Sequence, residues 1–114
     1  MYAFIQDNEL LKKDILQDYD TSYKLFKDDV LVGIGALRKS SINMMLFTIE
    51  KNHRENGYGK ILFNSLCNEA IKLNLKEINV AINKNNIQAI RIIKHKKYVT
   101  NSEDNDYVYY TIIL

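Results

Sequence analysis

Apolar positions recur at helical spacing in three segments of the chain. In residues 8–18, which follow Asp7 or Asn8 as a cap, these positions are Leu10, Leu11, Ile15 and Leu16. A longer segment, residues 57–73, carries Ile61, Leu62, Leu66, Ala70 and Leu73. The third segment, residues 87–96, carries Ile87, Ile90 and Ile93. A repeat near 3.6 residues is typical of a helix with one buried side, so the pattern predicts three amphipathic helices.

The other apolar segments are shorter, and they alternate or run without interruption, as strands do. They predict seven strands, at residues 1–5, 22–26, 30–37, 42–49, 77–82, 98–100 and 107–114. Polar turns follow two of the early strands, and a six-residue loop, residues 101–106, separates the last two strands. Gly33 and Gly35 fall on one face of their strand, because side chains alternate along a strand.

The order of these elements predicts the fold class. The early strands follow one another through tight turns, which indicates antiparallel hairpins, and the last two strands should form another hairpin. The strand–helix–strand unit from residue 42 to residue 82 needs a crossover, so its two strands should be parallel. We therefore expect an α/β protein with a mixed, mostly antiparallel β-sheet, a parallel central strand pair and flanking helices.

Composition narrows the class of protein without naming its chemistry. The length of 114 residues indicates one domain, over residues 1–114. The net charge of +2 is too small to indicate nucleic-acid binding. One cysteine, Cys67, cannot form an internal disulfide, and we find neither a signal peptide nor an apolar run that could span a membrane, so we expect a cytoplasmic protein. A basic cluster at the end of the third helix complements the helix dipole, with nucleic-acid binding as the weaker interpretation; it contains Arg91, Lys94, His95, Lys96 and Lys97.

The segment most informative about chemistry is Arg54-Glu55-Asn56-Gly57-Tyr58-Gly59-Lys60, between a strand and a long helix. The first N–H groups of a helix lack internal partners, and the helix dipole adds positive charge there. Glycine has no Cβ, so a phosphate can approach these N–H groups closely, and Arg54 can add a charge-assisted bond. The spacing matches neither a P-loop nor a dinucleotide fingerprint. The segment therefore predicts a phosphate site of another kind.

The stretch from Leu46 to Leu62 resembles motif A of the GNAT superfamily of acyl-CoA N-acyltransferases, which is a strand, a polar turn, [QR]-x-x-G-x-[GA] and a long helix. Asn86-Ile87-Gln88-Ala89 is similar to the N-x-x-A that opens the family's next helix, and Lys97-Tyr98 lies where the family often has Gly-Phe. The element order agrees over essentially the whole chain, although one helix precedes the second strand where many members have two. The resemblance implies a small, single-domain GNAT-like acyltransferase of the bacterial type.

The resemblance also implies where coenzyme A would lie. Arg54 and the backbone of residues 56–60 would hold the pyrophosphate. The backbone of residues 47–49 would pair with the pantetheine arm, because the two parallel strands splay in this family. Asn86 would approach the thiol end, and Lys60 could reach a phosphate or remain solvated. The expected coenzyme-binding residues are thus Phe47, Thr48, Ile49, Arg54, Glu55, Asn56, Gly57, Tyr58, Gly59, Lys60 and Asn86.

The catalytic residues are less clearly marked, because the sequence departs from the family at its usual positions. The tyrosine that often serves as general acid is replaced by Ile93, a glutamate found in some members is replaced by Ala81, and the usual proline of the polar turn is replaced by Lys51. Acyl transfer to an amine needs a base, an oxyanion donor and, in some cases, an acid. The candidates are Glu50 or His53 as base and Tyr98, Tyr107, Tyr109 or Tyr110 as acid, and we select Glu50 and Tyr98. Cys67 is interpreted as a core thiol.

The function implied is an acetyl-CoA-dependent N-acetyltransferase that acts by direct transfer. Its co-substrate would be acetyl-CoA, and its acceptor a primary amine of a small molecule, peptide or protein. No metal ion is expected in the site. The alternative is a non-catalytic acyl-CoA-binding regulatory module, which the replacement of the tyrosine by Ile93 favours. The oligomeric state stays open, with a homodimer as one alternative.

Overall fold

The computed structural model describes residues 1–12 and 16–114 of the chain. Over these residues, the chain forms one seven-stranded sheet and two α-helices. The strands are β1 (Tyr2–Gln6), β2 (Thr21–Lys27), β3 (Val30–Arg38), β4 (Met44–Ile49), β5 (Glu77–Asn83), β6 (Tyr98–Glu103) and β7 (Tyr107–Ile113). The helices are α1 (Tyr58–Lys72) and α2 (Ile87–Lys94), with short 3₁₀ helices at Asn8–Lys12 and Lys51–His53.

The sheet has the order β1-β2-β3-β4-β5-β7-β6. All neighbouring strands are antiparallel except β4 and β5, which are parallel. Helix α1 makes the crossover between these two strands, as a parallel pair requires. The predicted mixed sheet with a parallel central pair is therefore confirmed.

The N-terminal segment differs from the helix predicted over residues 8–18. The structure has a 3₁₀ helix at Asn8–Lys12, and the predicted core position Ile15 lies outside the described residues. The Asn8 side chain accepts a hydrogen bond from the backbone N–H of Ser22 at 3.1 Å, so it holds this segment against β2. Leu10 and Leu16 then cover Ile34 and Ala36 on the outer face of the sheet, which is the face opposite α1.

The last hairpin also differs from the prediction. Strand β6 continues to Glu103, where the sequence pattern predicted a loop from residue 101. The register of β6 against β7 shifts between Thr100 and Ser102, which leaves Asn101 as the extra residue of a β-bulge. The Asn101 amide donates hydrogen bonds to Thr111 Oγ1 and, at 3.3 Å, to Asn79 Oδ1. This polar segment can therefore remain in the sheet, because the Asn101 side chain is hydrogen-bonded on the outer face.

Helices α1 and α2 pack against the same face of the sheet and share one hydrophobic core. Gly33 and Gly35 lie under α1, as expected from their common face. A Cβ at Gly35 would be 2.6 Å from Leu66 Cδ1, and a Cβ at Gly33 would be 2.8 Å from Ile49 Cδ1. The missing side chains let α1 approach β3 closely, and this approach places the start of α1 beside the end of β4. None of the helices in the described part of the chain is long and apolar enough to cross a membrane.

Candidate anion-binding cleft

The parallel strands β4 and β5 separate soon after they begin. Within residues 43–83, all of which the structure describes, the paired position is Met44 with Asn79. Two further contacts tie the strands at this end, since the Asn79 N–H and the Asn79 side-chain amide both donate to the Asn43 carbonyl, at 2.9 and 3.0 Å. Towards its C-terminal end, β4 still pairs with β3 through Ile49. The other edge of β4 consequently presents backbone groups to an opening between the strands.

A cleft of about 750 Å³ lies at this opening, between the start of α1 and the start of α2. All the predicted coenzyme-binding residues except Asn56 line it. The structure thus brings together two sequence segments that the resemblance treats as one site. Their role in binding a coenzyme stays a prediction. The lining residues are Phe47, Thr48, Ile49, His53, Arg54, Glu55, Gly57, Tyr58, Gly59, Lys60, Asn83, Asn85, Asn86, Ile87, Gln88, Ala89, Arg91 and Ile92.

The turn before α1 has the backbone geometry of an anion site. Glu55 and Gly57 have φ values of +69° and +79°, whereas Asn56 between them is not in the positive-φ region. Alternating signs of φ turn successive N–H groups towards one side and form a concave nest for anions. Gly57 precedes the first turn of α1, and none of the described side chains caps this helix start. The first N–H groups of α1 are therefore available to a ligand.

Side chains within the turn hold this conformation. Arg54 Nε donates a hydrogen bond of 3.2 Å to the carbonyl of Ile49, which ties the turn to the end of β4. The Asn56 side-chain amide donates to the carbonyls of His53 and Arg54, at 3.2 and 3.1 Å. These bonds occupy the Asn56 side chain within the turn, which explains why it does not line the cleft.

The opposite wall of the cleft is formed by α2 and the loop before it. The Asn86 side chain accepts a 3.1 Å hydrogen bond from the N–H of Ala89 and caps the helix, so its amide oxygen already has a structural task. Ile93 is buried, as the sequence pattern indicates, and Ala89 is buried as well, but Ile87 is 53% exposed and faces the cleft. The resemblance did not assign several residues of this wall to the coenzyme: Asn83, Asn85, Ile87, Gln88, Ala89, Arg91 and Ile92.

Positive charge predominates along the cleft. Arg54, Lys60 and Arg91 line it, and Glu55 is the one carboxylate among the described lining residues. None of these three cations pairs with a carboxylate in the described part of the chain. No group of three or more His, Cys, Asp or Glu side chains among the described residues could hold a metal ion. The cleft is consequently suited to an anionic ligand.

The two predicted catalytic residues do not line the cleft. Glu50 is exposed and directly follows β4, and its backbone N–H donates to Val32 at 2.8 Å. Tyr98 pairs with Ile112, which in turn pairs with Ile78, five residues before the cleft residue Asn83 on β5. Ile78 and Asn83 are therefore roughly 16 Å apart along β5. The Tyr98 ring instead packs against Tyr110, with ring centroids 5.8 Å apart, so the structure does not bring Tyr98 to the cleft.

The other residues considered for catalysis lie in several parts of the structure. His53 is half-buried and lines the cleft, whereas Ile93 is fully buried in the core. Burial raises the pKa of the Cys67 thiol to about 11, as expected for a core thiol. Tyr109 lies opposite Ala81 on the neighbouring strand, and its hydroxyl donates a 2.7 Å hydrogen bond to Asp104. This bond raises the pKa of Tyr109 and lowers the pKa of Asp104.

A model of the acetyltransferase (GNAT) domain matches residues 1–104, which is most of the chain. No curated protein sequence matches the chain significantly. The family match covers both walls of the cleft and every strand that borders it.

Solved structures agree on the fold. An IAA acetyltransferase from Bacillus cereus has a TM-score of 0.84 and 12% identity, with 100% of both chains covered. A Bacillus subtilis acetyltransferase in complex with CoA has a TM-score of 0.80 and 17% identity, covering 100% of this chain and 99% of that one. The Campylobacter jejuni N-acetyltransferase PseH in complex with acetyl coenzyme A has a TM-score of 0.69 and 19% identity, covering 82% of this chain and 67% of the other.

Proposed function

The chain belongs to the GNAT family of acetyltransferases, and on that premise we propose that it transfers an acetyl group from acetyl-CoA to a primary amine of a small molecule, peptide or protein. The observation that carries the proposal is the family match over residues 1–104, which includes the cationic cleft at the separated strands. Structural neighbours that contain CoA or acetyl-CoA support the choice of coenzyme. The free thiol of Cys67 agrees with action in a reducing cytoplasm.

Each part of the coenzyme would occupy a different part of this cleft. Its pyrophosphate would accept hydrogen bonds from the N–H groups at Gly57 and the first turn of α1, with Arg54 beside it. Its pantetheine arm carries amide groups that would pair with the free backbone edge of β4 at residues 47–49, in the manner of an added strand. The thioester would then lie between the separated ends of β4 and β5.

We propose direct transfer from the coenzyme to the amine. The amine nitrogen attacks the thioester carbonyl carbon, a C–N bond forms, the C–S bond breaks, and the coenzyme leaves as a thiolate while the nitrogen loses a proton. An acyl-enzyme on Cys67 has no support, because this thiol is 4% exposed and its raised pKa keeps it protonated. A thiol has an ordinary pKa of about 8.5, so the thiolate can leave without a strong acid.

Glu50 is the base that we propose for deprotonating the amine. Alternation along β4 places it on the same side as Thr48, away from the helices, where an acceptor can reach the separated strands from the outer face. His53 is the second candidate, because it lines the cleft and histidine is the side chain that most often serves as a general base. Glu50→Gln should lower the rate constant of acetyl transfer and leave acetyl-CoA affinity unchanged. If His53 is the base instead, His53→Gln should lower that rate constant and Glu50→Gln should not.

The test is thiol release from acetyl-CoA in the presence of a panel of amines between pH 7 and 9. We expect the rate to rise with pH as the amine loses its proton, without a falling limb. Turnover with at least one amine supports the proposal, and calorimetry with acetyl-CoA measures binding separately. Tight binding without turnover on any amine would favour the regulatory module, and absence of binding would contradict both functions.

A further inference from the structure

Arg91 is a cation of the cleft to which the proposed binding mode assigns no task. It lies on α2, lines the cleft and pairs with none of the described carboxylates. The sequence pattern attributes it to the helix dipole, but that account fits Lys94 of the same last turn equally well. Lys94 does not belong to the cleft lining, although all of α2 is described. The position of Arg91 therefore needs a separate explanation.

Helix α2 runs along the cleft from its strand end to its phosphate end. Its start at Asn86 follows β5, where the strands separate. Its last turn lies beside the anion site, since a Cβ at Gly59 would be 3.0 Å from Ile92 Cδ1. Arg91 precedes Ile92 and is about 7.5 Å along the helix axis from Asn86. Its guanidinium is thus carried at the phosphate end of the cleft, across from the start of α1.

The exposed surface of α2 changes from apolar to cationic between the start of the helix and its last turn. Ile87 and Arg91 are four residues apart and share one side of the helix, and both line the cleft. Ile87 is an apolar residue that is 53% exposed, and it lies near the end where the pantetheine arm would pass. Ile87 is thus followed one turn later by the cationic Arg91. This order matches the coenzyme, in which the pantetheine arm is followed by phosphate groups.

We infer that Arg91 binds the ribose 3′-phosphate of the coenzyme and makes the protein selective for coenzyme A over its dephosphorylated form. The pyrophosphate is already served by the N–H groups of α1 and by Arg54, whereas the 3′-phosphate is a terminal group with a charge of about −1.5 to −2. A guanidinium donates two parallel hydrogen bonds to such a group, which suits the planar side chain of Arg91. This inference rests on the proposed function, because it concerns the same coenzyme in the same cleft.

The test compares acetyl-CoA with acetyl-dephospho-CoA by calorimetry on the complete chain. The unmodified protein should bind acetyl-CoA about tenfold more tightly than acetyl-dephospho-CoA. Arg91→Gln should weaken acetyl-CoA binding by about tenfold and leave acetyl-dephospho-CoA binding unchanged. Arg91→Lys should retain part of the preference, because it keeps the charge and loses the paired bonds.

Lys94→Gln is the matched control. It removes one positive charge from the same turn of α2, so it reproduces the effect on the helix dipole and on net charge but should leave both affinities unchanged. An equal loss of affinity for both coenzymes in Arg91→Gln would overturn the inference, since Arg91 would then serve the pyrophosphate or the general field. An equal loss in Lys94→Gln would overturn it as well. If the unmodified chain bound neither coenzyme, the proposed function itself would fail.

Discussion

Replacing Gly57 separates the strain of its backbone from its proposed role in binding an anion. Gly57 has a φ of +79°, and a Cβ built on it would meet no atom within 4 Å. An L-residue in the left-handed region costs about 1–2 kcal/mol, and a β-branched side chain is at the upper end of that cost. Gly57→Val should therefore lower the free energy of unfolding by about 2 kcal/mol. Gly57→Asn should lower it by less than about 1 kcal/mol, because asparagine tolerates this conformation.

Binding should follow a different order from stability. Both side chains would stand in the open space in front of the α1 N–H groups, so both variants should bind acetyl-CoA at least about tenfold more weakly. The matched control is Asn74, which has a φ of +64° at the other end of α1 and lies outside the cleft. Asn74→Val should lower the free energy of unfolding by about 1–2 kcal/mol and leave acetyl-CoA affinity unchanged.

Urea unfolding and calorimetric titration with acetyl-CoA measure the two quantities on the same samples. Unchanged affinity in a folded Gly57→Asn variant would refute the assignment of the phosphate site. Unchanged stability in Gly57→Val would show that the left-handed conformation is not required. Loss of affinity in Asn74→Val would mean that binding responds to general destabilisation, and weaker binding in the Gly57 variants would then be no evidence for an anion site at this turn.

Three further predictions concern the core, the thiol and the last hairpin. Gly35→Ala should lower the free energy of unfolding by about 1–3 kcal/mol in urea unfolding, because its Cβ would meet Leu66 at 2.6 Å; unchanged stability would contradict the close approach of α1. Cys67, buried and with a pKa of about 11, should react with a thiol reagent at pH 8 only as fast as the chain opens, and rapid labelling would contradict its burial. The lowered pKa of Asp104 contributes stability that is present above its ordinary pKa of 3.8 and is lost as pH falls through its folded-state pKa. Tyr109→Phe should therefore reduce the loss of stability between pH 4 and pH 2, measured by urea unfolding, and an unchanged acid dependence would refute the role of this hydrogen bond.

Much of the fold followed from local pattern. Periodicity alone indicated α1 and α2, because a helix that packs on a sheet needs one apolar side whatever lies opposite it. The parallel pairing of β4 and β5 followed from the crossover, and Gly57 at a strand–helix junction predicts an anion site, since both inferences depend on neighbouring residues. Features that depend on neighbouring residues can therefore be predicted from the sequence alone.

Tertiary structure decided the features that depend on distant segments. The N-terminal residues form a 3₁₀ helix in which the Asn8 side chain is bonded to Ser22 of β2, a contact that no local pattern indicates. Tyr98 is carried away from the cleft because the register of β6 and β7 sets its position, and a strand register depends on its partner. Arg91 and Ile87 face the cleft only because α2 packs beside the start of α1. Sequence determines which residues can do chemistry, whereas long-range packing determines which of them meet.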